Sequence, residues 1–213
     1  MSEPKVQYTL RQVIFDAEIA AAETDNLMAA EDINDMTGYA GATEADGAVL
    51  TNAGGGGTTG LVAVAARMEH PRSIVLTQVV DGCTGGNVRV VGIGMDGQPT
   101  SELLSLLSSS GTVTGSVPFL RVDEVHVWGV TGTLSDTDTL AIGMGAKIGL
   151  PRGSDETLFD VVKERFGALG AMSDIAVSAS GIDRTYGTYT PTSTLDASKN
   201  LEVWYVTKRV LKY

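Results

Sequence analysis

Two histidines, one cysteine and twenty-six acidic residues are what this chain of 213 residues offers to chemistry. His126 follows Asp123 by three positions and His70 follows Glu69, pairings that could seed a metal centre or a Ser–His–Asp relay. Zinc wants three or four ligands, so either histidine would have to recruit acids alone. A serine nucleophile wants a sharp Gly-x-Ser-x-Gly elbow, and Ser116 in Gly115-Ser-Val lacks it. The reading that fits His126 and His70 is therefore a half-exposed strand histidine. Asp81, Asp96, Asp136 and Asp138 fall among turn residues and could bind calcium, but no Asp-x-Asp-x-Asp-Gly loop exists. Turn-forming carboxylate chemistry explains them better. Cys83 stands alone, which excludes an intramolecular disulfide and a cysteine zinc site.

Two glycine phrases mimic nucleotide motifs. Gly92-Ile-Gly-Met-Asp-Gly97 has the letters of the dinucleotide fingerprint, whose mechanism needs a helix opening at that point. Asp96-Gly97 instead spells a tight hairpin turn. Gly54–Gly57 with Thr58 and Thr59 lacks the Gly-Lys-Ser/Thr ending of a phosphate loop and reads as a linker. Tyr186, Tyr189, Trp204 and Tyr205 could form a sugar-stacking platform. Trp204 and Tyr205 must face opposite sides of a strand, so Trp204 is expected in the core and Tyr186 and Tyr189 at a surface or interface.

The elements that would carry these residues are short β-branched runs punctuated by Gly, Pro, Asp and Asn, the pattern of an antiparallel all-β protein. The hairpin Asn87–Met95 and Thr100–Leu107 is the clearest. Val117–Val130 is the longest strand, and its mixed faces predict a bulge or an edge position. Residues 5–20 switch parity: Val6, Tyr8 and Leu10 share one, Val13 and Phe15 the other. A bulge near Arg11-Gln12 would bring both sets to one face. Ala17–Ala30 is open between strand and helix, and Leu61–Arg67 reads as a strand. Leu158–Phe166 reads as a strand, with a short helix close behind. Ile175–Ser178 and Leu201–Leu211 read as strands.

Residues 1–60 carry ten acids against two bases, most of the net charge of −11. They are expected to form an N-terminal strand followed by an acidic, Gly-rich arm, with a β-sandwich body over 61–213. An acidic arm speaks against direct nucleic-acid binding, and the longest apolar run, Leu61–Ala66, is far short of a membrane helix. Without a secretory signal, the chain is expected to be made in a reducing cytoplasm.

Four phrases then stand in a familiar order: Pro71-Arg-Ser-Ile-Val-Leu-Thr, Val90-Val-Gly-Ile-Gly-Met-Asp-Gly-Gln-Pro-Thr-Ser-Glu, Gly111-Thr-Val-Thr-Gly-Ser-Val-Pro-Phe and Ile142-Gly-Met-Gly-Ala-Lys-Ile-Gly-Leu-Pro. Together they resemble a class of tailed-bacteriophage virion proteins, most like the capsid decoration, or cement, proteins. The likeness covers residues 70–151, with a weaker echo in Tyr186-Gly-Thr-Tyr-Thr-Pro-Thr. It implies an all-β body, an antiparallel sandwich or jelly-roll-like domain with an extended N-terminal arm. It also implies a homotrimer on the capsid surface of the virion, with the major capsid protein as partner. No catalytic, cofactor-binding or metal residues carry over, and a non-enzymatic role is the expectation. Tail-tube, head-fibre and glycan-binding adhesion modules share such phrases and are the alternatives.

Overall fold

The computed structural model describes residues 5–15, 22–36, 40–41, 43–51 and 67–211. Fourteen strands run through them: β1 (Lys5–Phe15), β2 (Glu23–Asp32), β3 (Ala48–Thr51), β4 (Arg67–Val79), β5 (Cys83–Gly94), β6 (Pro99–Leu106), β7 (Gly111–Thr114), β8 (Phe119–Gly132), β9 (Thr139–Gly149), β10 (Glu156–Gly167), β11 (Ser173–Ile175), β12 (Ile182–Asp183), β13 (Thr188–Tyr189) and β14 (Asn200–Leu211). Two single 3-10 turns, Glu44–Asp46 and Ala179–Gly181, are the helical pieces among the described residues. The expected antiparallel all-β class holds, with sheets curled into a half-barrel, sandwich-like arrangement.

The larger sheet has ten strands, in the order β12-β13-β9-β4-β8-β5-β6, with β2 on β9, β3 on β8 and β7 on β4. Its core is a layer of β-branched and leucine side chains such as Ile74, Leu76, Val88, Val90, Val125 and Ile142. Each side chain withdrawn from water this way contributes about 1.5–3 kcal/mol before entropy is counted. Leu27, Met28, Ile33 and Met36 join the same core, so the acidic N-terminal segment is partly stitched into the sheet. Gly54–Gly57 and most of the Leu61–Arg67 run lie outside the described residues.

The smaller sheet runs β1-β14-β10-β11. Its inner face carries Phe15, Leu158, Val161, Leu201, Val203 and Tyr205, which close on Ile148 and Leu150 at the far end of β9. β9 thus serves both cores.

Several local expectations are corrected. β1 pairs with β14 in one unbroken register from Lys5↔Leu211 to Phe15↔Leu201, so the bulge expected near Arg11-Gln12 is absent. Val13 and Phe15 turn inward, and the opposite parity is left on the outer face. The region left open between strand and helix is strand from Glu23 on; 16–21 lie outside the described residues. Leu158–Phe166 is strand, bulged where Phe159 and Val162 are each inserted against β14. Those two extra residues are what lent the segment a helical spacing. The long strand β8 is interior, and its mixed faces are reconciled by register shifts against β5.

Candidate functional site

Around His126 the strand parity matters more than sequence proximity. Glu124, two residues away on the same face, places Oε2 3.0 Å from Nε2. Glu44, delivered by the 3-10 turn before β3, places Oε1 3.3 Å from Nδ1. Arg89 on the neighbouring β5 reaches Glu44 at 3.2 Å and lies over the Trp128 ring at 6.0 Å. Asp123, the partner expected from spacing, faces away and chelates Arg121 at 2.5 and 3.1 Å. Both imidazole nitrogens are engaged by carboxylates, which leaves neither free to take a proton from a nucleophile. Ser101 lines the same shallow depression, but its register sets it opposite Val91 and Glu124, and no hydrogen bond joins it to His126. His70 is a packing residue, its ring edge-on to Phe15 at 5.0 Å.

Ser116 has company that its sequence surroundings did not announce. Lys147 on β9 donates Nζ–H to the Ser116 hydroxyl at 2.8 Å, a contact that resembles a Ser–Lys dyad. The Glu102 carboxylate decides its meaning. It accepts from the backbone N–H of Ser116 at 2.6 Å and of Val117 at 3.3 Å, the two donors that would otherwise hold an oxyanion. Burial pushes the Glu102 carboxyl up, partly opposed by those two N–H groups and by the charge of Lys147. Gly115 leaves room for this carboxylate, since a Cβ there would lie 2.2 Å from Glu102 Oε2 and push it off the Ser116 and Val117 N–H groups. The cluster buttresses the turn before β8.

The aspartates are turn builders, as expected. Asp138 is the extreme case: completely buried, it accepts from the N–H groups of Asp81, Gly82, Cys83 and Ser135 at 2.9–3.0 Å. A pocket lined by N–H donors repels a cation, and no group of acids, histidines or cysteine among the described residues could hold a metal ion. Gly92 and Gly94 lie within β5 and Gly97, at φ +75°, closes the hairpin, so the fingerprint letters are accounted for without a helix.

The aromatic platform is not assembled. Tyr189, expected at a surface, is fully buried and donates to Glu164, itself buried and held by the N–H groups of Thr192 and Ser193 at 2.9 Å. Tyr205 takes the core position expected for Trp204, and Trp204 lies half-buried on the outer face. Tyr186 alone is exposed, on the rim of a cleft of about 500 Å³ with Asp96, Thr100, Arg152 and Glu156. Arg11 forks Glu156 at 2.8 and 3.0 Å, and Arg152 donates from Nη2 to the Tyr186 carbonyl at 3.1 Å, while its Nη1 is buried without a hydrogen-bond partner among the described residues.

With this geometry in hand, the chain was compared with known proteins. None matches. No family model, no curated protein and no solved structure shares a detectable relationship with it. Glu44, Glu102, Glu124, Lys147 and Glu164 are the residues that reading the sequence missed. Only Glu124 had a usable signal, because strand alternation already set it beside His126. The others meet their partners through pairings between distant strands, which spacing along the chain does not encode.

Proposed function

We propose that this chain is a non-enzymatic structural protein of a tailed-phage head, a capsid decoration protein that binds the assembled shell and stabilises it. One observation carries the reading. Its reactive-looking side chains are engaged in holding strands together, while the smaller sheet leaves Tyr8, Leu10, Ile14 and Val162 more than half exposed. His126, Ser116, Asp138 and Glu164 each brace a turn or a strand junction. The four phrases that carry the resemblance fall on β4, β5–β6, β7 and β9, and β4 touches both β7 and β9. A shell-binding protein needs such a rigid body and repeated weak contacts, which symmetry turns into avidity. Its partner is the major capsid protein, its working form a homotrimer and its place the outer surface of the virion.

The test adds purified protein to capsids stripped of accessory proteins. Sedimentation with the shell and a raised temperature of capsid rupture are expected. Absence of both rejects the role. Exposed Tyr186 beside the hydroxyl-bearing cleft favours one second reading, a glycan-binding module, and binding on a glycan array that Tyr186→Ala abolishes would establish it.

A further inference from the structure

The outer face of the smaller sheet is apolar where a solvent face should be polar. Because β1 has no bulge, Val6, Tyr8, Leu10 and Ile14 all point outward, 40%, 55%, 58% and 51% exposed. β10 adds to them in an unusual way. Each of its two irregularities inserts one residue, Phe159 or Val162, and both are turned out rather than in. The Phe159 ring crosses β14 to meet Tyr8 edge to face, with centroids 5.0 Å apart. With Val210 on β14 50% exposed beside them, seven large apolar side chains stand open on one sheet face, the kind of patch that marks an interaction site.

Two further features say what covers it. The face does not share the acidic excess of the chain: Lys163, Arg165 and Lys208 are balanced by Asp160, Asp174 and Glu202, with Asp174 bonded to Lys163 at 3.0 Å and Arg165 to Glu202 at 2.9 Å. β1 is also an edge, with β14 on one side and no described strand on the other. Its eleven residues contain no proline, and of its two charges Lys5 stands at the first position and Arg11 is tied to Glu156, so the middle of the edge carries little of what protects an edge from pairing. A near-neutral apolar face carries no net charge to repel another copy of the same acidic chain, and the open edge beside it adds unpaired backbone groups.

We infer that the β1–β14–β10 face is where a second copy of this chain seats. The inference stands on the sheet geometry and does not need the capsid reading, since a monomer could bind a shell equally well. Light scattering coupled to gel filtration tests it across micromolar concentrations. The wild-type chain is expected at a multiple of 22.2 kDa. Tyr8→Asp with Leu10→Asp, and separately Phe159→Asp, should each raise the dissociation constant at least about tenfold and yield the monomer, with circular dichroism unchanged. Leu103→Asp, an equally exposed apolar site on the larger sheet, should leave the assembly intact. A wild-type chain that stays at 22.2 kDa overturns the inference, as do face variants that assemble like the wild type. Face variants that assemble normally but no longer sediment with capsids would hand this face to the shell, and the two readings fail separately.

Discussion

Asp138 is an expensive place to bury a charge, and four backbone N–H groups make it affordable. They come from both sides of a junction, Asp81 to Cys83 at the start of β5 and Ser135 in the β8–β9 loop. Burial pushes the Asp138 carboxyl up, but the N–H groups of Gly82, Cys83, Ser135 and Asp81 together outweigh it and hold the group well below the ordinary carboxylate range. A folded-state value below the unfolded one, near 4, gives stability that is complete above that point and drains as pH falls toward the folded value. Asp138→Asn keeps the shape, removes the charge and sets an amide against N–H donors. It should cost about 2–4 kcal/mol at neutral pH, read from urea midpoints. The gap to wild type should narrow below about pH 4, and a constant gap down to about pH 2.5 would show that charge is not what was lost. The Tyr189 phenol is pushed up by burial first and then by its bond to Glu164. It should stay protonated past the ordinary tyrosine range near 10 when absorbance is followed in alkali. Tyr189→Phe leaves Glu164 one donor short and should cost about 1–3 kcal/mol.

Strand pairing explains which glycines are obligatory. A Cβ on Gly92 would lie 2.0 Å from the Arg121 carbonyl oxygen of β8, a backbone atom that cannot step aside. On Gly97 it would meet nothing within 4 Å, though φ there is +75°. Gly97→Ala should therefore cost about 1–2 kcal/mol, the left-handed penalty alone. Gly92→Ala should cost at least about 3 kcal/mol, because the β5–β8 ladder must part. Thermal unfolding of both variants checks the order, and a milder effect at Gly92 would contradict it. These elements also mark what could be read from the chain. The β5–β6 hairpin was legible because Asp96-Gly97 states its turn and alternation states its faces. β1 was half legible. Its two apolar sets were plain, but whether a bulge merges them depends on β14, almost the whole chain away. β10 misled for the same reason, since Phe159 and Val162 are bulge residues only by reference to a partner strand. The Glu164–Tyr189 pair left no trace, because an inward acid on a strand looks like an outward one until its donors are in place.

Across the whole molecule the two cores share β9, a strand of the larger sheet that sends Leu140 and Ile142 into one core and Ile148 into the other. Packing both cores against one strand should make the two sheets one cooperative unit. The chain supplies its own reporters: Trp128 lies on β8 of the larger sheet and Trp204 on β14 of the smaller. In Trp128→Phe and Trp204→Phe, the remaining indole should report the same urea midpoint, once each variant's own shift is known from circular dichroism. Two different midpoints would mean that β9 hinges two independent bodies. The pairing of Lys5 with Leu211 has a practical corollary. Two backbone positions so far apart in order lie side by side in space, so a short glycine–serine bridge can join them without disturbing either strand. New ends opened at Asp96-Gly97, an exposed tip, should then give a rewired chain of the same shape. Labels attached at Lys5 and at Leu211 would emerge side by side.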